Sequence, residues 1–182
     1  MAKQHLRIGV GAGFAGDRWE PAVELVEHGD IDVIVFECLA ERTIALAQLE
    51  KLKDPSRGFD RLLTARFTAV LPDCVRAGTR IITNMGAANP LGAGTEAVRV
   101  ARALGLSLKI AVVTGDDVVD RVGGCVLDET GEPVDALGDR LVSAHAYIGV
   151  AGIVEALGAG ADIVICGRTS DPALYLGPLV HE

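Results

Sequence analysis

The chain has 182 residues, enough for one domain with its own core and no disulfide or metal staples. Aromatic residues are 4% of it against 49% hydrophobic, so the core must be built from Ala, Val, Ile and Leu. A net charge of −8 excludes the broad basic face with which a nucleic-acid binder displaces counterions, but not a local basic pocket for a small anion.

Met1–His5 is polar and leads directly into an apolar stretch, with no secretory h-region. The expectation is a cytoplasmic chain that keeps Cys38, Cys74, Cys125 and Cys166 as thiols. None of the four stands in a CxxC pair or at ligand spacing from a His, so no metal site is assigned. The longest apolar runs are about half a membrane span, so no membrane partner is expected.

Leu6–Val10 reads as a first strand, followed by Gly11-Ala-Gly-Phe-Ala-Gly16. Asp17 would cap a helix running to about Glu27, with Pro21 in its first turn and Gly29 at its end. Ile31–Phe36 is a largely β-branched run, the pattern of a strand covered on both faces. Glu37–Thr43 is a polar loop or helix start, and the helix continues to about Leu52 before Asp54-Pro-Ser-Arg-Gly58 breaks it. Phe59–Arg76 is helical, kinked near Pro72 and closed by Gly78.

Arg80–Thr83 is the third strand and empties into Asn84-Met-Gly-Ala-Ala-Asn-Pro90. A helix over about Gly94–Leu104 leads to a fourth strand, Lys109–Thr114. Arg121–Asp139 is irregular, with a hairpin turn at Asp128-Glu-Thr-Gly131. A helix over Ile148–Leu157, a fifth strand over Ala161–Cys166 and a helix from Ala173 complete the order. Alternation with connections this long implies parallel strands and right-handed crossovers. The expected fold is a single α/β domain over 1–182, a Rossmann-like doubly wound sheet with helices on both faces; the alternative is part of a (β/α)8 barrel.

In either fold the loops after the strands share one rim, where ligands bind. Those loops hold Asp17, Arg18, Glu37, Cys38, Glu41, Arg42, Asn84, Asn89, Asp116, Asp117, Arg168 and Asp171, while the opposite loops are nearly bare. Loops are polar anyway and Asp and Asn cap helices, so each residue has a structural reading beside its chemical one. Gly11, Gly13 and Gly16 fit GxGxxG, with Glu37 at the spacing of a ribose-binding carboxylate, and would make a dinucleotide cradle or merely a tight turn. Against the cradle, the Asp17 carboxylate would compete with a phosphate for the same N–H groups.

Glu37 and Glu41 stand i, i+4 and would form an acid–base pair on one helical face, with Arg42 holding one ionised, or remain solvated loop charge. Asp116 and Asp117, joined by Asn84 and Asp171, have the oxygen chemistry of a magnesium site, or else cap and open a helix. Arg168 would clamp a carboxylate or phosphate, or pair with Asp171. Arg18 and Asn89 complete the substrate-binding candidates. Cys38 lacks the cationic setting of a nucleophile and reads as core. His145 and Tyr147, near Ser143, would reach the same rim.

Several of these blocks together resemble the acyclic terpene utilisation family. They are Gly11-Ala-Gly-Phe-Ala-Gly-Asp-Arg18, Phe36-Glu-Cys-Leu-Ala-Glu-Arg-Thr43, Ile82-Thr-Asn-Met-Gly-Ala-Ala-Asn-Pro90, Val113-Thr-Gly-Asp-Asp117, Ser143-Ala-His-Ala-Tyr-Ile-Gly149 and Gly160-Ala-Asp-Ile-Val-Ile-Cys-Gly-Arg168. The family pattern carries Asn where His145 stands. Its members are longer, so the resemblance implies the amino-terminal portion of a longer family domain. It also implies a catabolic enzyme acting on a branched acyl-CoA or small carboxylate, without handing over a mechanism; the expected chemistry is lyase- or hydratase-like, and no cofactor is assigned.

Under that reading Glu37, Glu41, Asp116 and Asn84 are the catalytic candidates, and Arg18, Arg42, Asn89, Arg168 and Asp171 bind substrate. The rivals are an NAD(P)-binding oxidoreductase using Gly11, Gly13 and Gly16, and a non-catalytic subunit of a homo-oligomer or larger complex.

Overall fold

A computed structural model describes residues 5–182; Met1–Gln4, most of the polar start, lies outside them. Five strands form one parallel sheet: β1 (Ile8–Ala12), β2 (Val33–Phe36), β3 (Arg80–Thr83), β4 (Ile110–Val113) and β5 (Ile163–Cys166). Their order across the sheet is β1-β2-β3-β5-β4. β4 thus lies at an edge, outside β5, whereas a barrel takes its strands in chain order; the doubly wound expectation holds and the barrel alternative falls.

The helices are α1 (Glu20–His28), α2 (Glu41–Lys53), α3 (Leu63–Ala77), α4 (Pro90–Ala103), α5 (Ala151–Gly158) and α6 (Asp171–His181). Alternate residues of each strand serve opposite faces. Ile34, Phe36, Ile81, Ile163 and Ile165 pack with Val26, Phe67, Val70, Leu71 and Ala97 of α1, α3 and α4. Val33, Val35, Ile82 and Val164 pack with Ile153, Leu157, Ala173 and Leu174 of α5 and α6. Full burial of one such aliphatic side chain stabilises the fold by about 1.5–3 kcal/mol.

The helix after β3 goes to the first face and the helix after β5 to the second, so adjacent strands β3 and β5 mark the topological switch. α2 belongs to neither layer. Its Ile44 and Ala47 join Leu39, Ala87 and Ala88 in a small third cluster beyond the carboxyl ends of β2 and β3.

Element ends depart from expectation for local reasons. Asp17 does not cap α1: its carboxylate accepts from Gly13 N at 2.9 Å, and the helix starts three residues later with Trp19 at the N-cap. α4 begins at Pro90 because Asn89 Oδ1 accepts from Gly92 N at 3.0 Å and Pro suits the first helical turn. α3 runs through Pro72 as one helix and ends on Gly78 at φ 73°. Ile148 does not open α5, since it bridges to Thr169 instead. The expected hairpin reduces to one antiparallel bridge, Val126 with Pro133.

Candidate active site

At the switch point itself, where an open α/β sheet usually takes its ligand, the protein fills its own crevice. The turn after β3 is drawn across it by Gly86 N donating to Cys166 O at 3.1 Å, and a Cβ on Gly86 would stand 2.4 Å from that oxygen. The space opens to one side instead. A cavity of about 990 Å³ lies between α2, the loop Ser56–Leu62, the start of α4 and the carboxyl ends of β2 and β3. Leu39, Leu46, Ala47, Phe59, Leu62 and Ala87 make most of its wall apolar.

Its polar inner end carries Cys38, Asn84 and Asp60. Asn84 is fully buried; its Oδ1 accepts from Cys38 N at 2.7 Å and its Nδ2 donates to Glu37 Oε1 at 2.8 Å. An amide has two N–H donors, and the bond to Glu37 uses one of them. Glu37 Oε1 also accepts from Leu39 N at 3.1 Å, which fixes the carboxylate behind Asn84 rather than in the cavity wall.

Asp60 Oδ1 accepts from Leu62 N at 2.7 Å and from Arg66 Nη1 at 3.2 Å. Burial nevertheless pushes the Asp60 carboxyl above the usual aspartate range, with Arg66 opposing. Burial likewise raises the Cys38 thiol far above the range of a nucleophile, although Arg66 Nη1 lies 3.2 Å from its sulfur and opposes the shift.

Arg66 is itself wholly buried and also holds the carbonyls of Ala15 and Asp17, each at 3.0 Å. The Gly11–Gly16 turn is therefore clamped by the protein's own groups. Gly11 lies inside β1, where a Cβ would meet the Phe36 ring at 2.7 Å, and α1 starts four residues after Gly16. A dinucleotide turn instead delivers its last glycines directly to a helix N-terminus. Gly16 does line the cavity.

A second polar group sits at the ends of β4 and β5. Asp116 Oδ2 accepts from Arg168 N at 2.7 Å and faces His145 Nδ1 at 3.3 Å. The Arg168 guanidinium is buried, donates to Leu39 O at 2.8 Å, Thr169 O at 2.9 Å and Asp171 Oδ1 at 2.6 Å, and stacks 4.4 Å from the Tyr147 ring centre. Tyr147 in turn donates to Glu41, which lowers that carboxyl.

The rim thus gathers Glu37, Asn84, Asp116 and Arg168 on one edge through contacts, although they lie far apart in sequence. Other groupings do not form. α2 starts at Glu41, so Glu37 and Glu41 share no helical face; one bonds Asn84 and the other Tyr147. Asn84 Oδ1 is taken up by Cys38 N, and among the described residues no group of three or more His, Cys, Asp or Glu could hold a metal ion.

Asn89 donates to Pro55 O at 3.0 Å and Arg57 O at 2.7 Å besides capping α4, so its amide fastens the loop before the cavity. Arg18, Arg42 and Asp117 are exposed outside the cavity lining. Asp60, Arg66 and Tyr175 escaped the sequence reading; the Tyr175 phenol is raised by burial and by neighbouring Glu37. Arg66 had a signal: it interrupts the apolar stripe Leu63, Phe67, Val70, Leu71, Cys74 of α3.

The fold and rim define a doubly wound α/β protein with an apolar cavity ending on an amide and a carboxyl. The chain belongs to the acyclic terpene utilisation family: the family model described as acyclic terpene utilisation family protein AtuA matches residues 6–182. Among curated proteins it is similar to an inosine-5'-monophosphate dehydrogenase of Bifidobacterium longum (strain NCC 2705), 29% identical over 165 residues. That match takes in 90% of this chain and 27% of the relative, so the chain spans about a quarter of the relative's length. No solved structure matches it.

Proposed function

We propose that the protein is a catabolic enzyme that takes a branched acyl-CoA or a small branched carboxylate into this cavity. The observation that carries the reading is the cavity's composition: aliphatic walls for a hydrocarbon chain, and Asn84 with Asp60 at the inner end for a carbonyl. The second N–H of Asn84 would stabilise charge developing on the carbonyl oxygen. Asp60, with its raised carboxyl, would move the proton. Glu37 acts through Asn84 as a positioning residue. Arg57 and Arg61 line the cavity and pair with Glu50 at 3.8 and 3.0 Å, exposed enough to turn toward an incoming anionic headgroup.

Calorimetric titration with a branched medium-chain acyl-CoA tests this. Binding should saturate, and Ala47→Phe, which puts a ring into the cavity wall beside Leu46, should weaken it at least tenfold. Undiminished binding by that variant would refute the assignment. Where turnover is found, Glu37→Gln should lower it at least tenfold with the melting temperature nearly unchanged, by loss of the ionic acceptor that aims Asn84.

A second reading, a nicotinamide-dependent dehydrogenase, is favoured by the name of the curated relative. The clamped Gly11–Gly16 turn speaks against it. A thermal shift with millimolar NAD or NADP would support that reading, and no shift would remove it.

A further inference from the structure

The Asp116–His145 pair lies outside the cavity and has no part in the proposed reaction there. We propose that it is a second proton-transfer station on the rim, in which Asp116 holds the imidazole and His145 Nε2 takes a proton from a small hydroxyl compound or water. The two side chains are 3% and 8% exposed, so solvent hardly weakens their contact. The carboxylate is held from both sides: Oδ2 accepts from Arg168 N at 2.7 Å and faces His145 Nδ1 at 3.3 Å. It is seated directly on Gly167, where a Cβ would stand 2.4 Å from that same oxygen.

The backbone fixes the ring as well. Ala146 N donates to Asp116 O at 2.7 Å and Val118 N to Ala144 O at 2.9 Å, bracketing the pair. Against this fastening, His145 Nε2 is buried and has no hydrogen-bond partner among the described residues. A buried ring nitrogen left unpaired is costly, and such a group usually has a catalytic or ligand-binding reason.

A carboxylate at Nδ1 keeps the neutral ring's proton there and leaves the lone pair on Nε2. The step is then a simple transfer. The O–H bond of the ligand breaks, its proton goes to Nε2, and its electron pair stays on oxygen as an alkoxide or hydroxide. The Asp116 carboxyl group holds the ring in place during the transfer, and the reverse transfer returns the proton to the same oxygen. Arg168 joins this station to the cavity, since its N–H meets Asp116 and its guanidinium meets the carbonyl of the cavity residue Leu39.

The test uses the intact chain and its four histidines. Nitrogen-15 NMR reads the imidazole tautomer, and diethyl pyrocarbonate with peptide mass mapping reads which rings a small electrophile reaches. His5, His28 and His181 are the internal references. Neutral His145 should be the Nδ1–H form; because the ligand must reach the buried Nε2, the reagent should reach it too in the native protein, more slowly than it reaches the exposed His28. Asp116→Asn should slow that modification about tenfold or more relative to His28, because the tautomer is no longer held. An Nε2–H tautomer overturns the proposal. So does a His145 left untouched after the other three have reacted, or an unchanged rate in a folded Asp116→Asn variant. Should that variant not fold, the wild-type tautomer and reactivity decide.

Discussion

Arg66 and Arg168 are both shut away from solvent, and each spends its guanidinium on carbonyls of distant loops. Arg168→Met would strip the carbonyls of Leu39 and Thr169 and the Asp171 carboxylate of their donor. The expected loss is about 3 kcal/mol, read as a fall of about 6–12 °C in a thermal melt. A fall of under about 2 °C would show that Arg168 is dispensable to the fold.

At Asp60 the sign of the pH effect is fixed by burial. Its folded carboxyl is raised, so its contribution to stability is lost as pH climbs through the window from the ordinary aspartate value up to that raised value. In Asp60→Asn the loss disappears. The stability of the variant relative to wild type should therefore rise with pH across that window, as measured by urea unfolding at a series of pH values. Among the cysteines, Cys125 alone is exposed, while burial holds Cys74 and Cys166 up at about 12 and Cys38 higher still. Alkylation of the native protein near neutral pH should mark Cys125 and spare the other three.

Among the elements, α5 and α6 meet at Gly177, where a Cβ would stand 2.5 Å from Ile153 Cγ2. Gly177→Ala should cost about 1–3 kcal/mol by overpacking, visible as a lower melting temperature. The strands were legible because most are short β-branched runs, and the observed ends lie within two residues of the expected ones. Helix starts were less so: Asn89, Asp17 and Ile148 each take partners the local pattern does not reveal. α2 hid the cavity. Only Ile44 and Ala47 of it are buried, and Leu46, Leu49 and Leu52 are exposed, so no apolar stripe announces what it faces.

For the whole molecule, the parallel direction of the strands followed from alternation, and with it the sharing of one edge by their exit loops, but the strand order did not. What does not follow from alternation is which rim groups face each other. The Asn84–Glu37 pair and the Asp116–His145 pair join residues 47 and 29 positions apart. Asp60 enters the site only because the loop before α3 folds back, with Asp60 N donating to Met85 O at 2.9 Å. The central claim is that the cavity beside α2 receives an acyl group with its carbonyl at Asn84. A crystal structure of the protein soaked with a branched acyl-CoA tests it most directly. The account predicts density for the chain among Leu39, Leu46 and Phe59 and a carbonyl oxygen within hydrogen-bond distance of Asn84 Nδ2. Well-ordered ligand bound elsewhere, with the cavity empty, would contradict it.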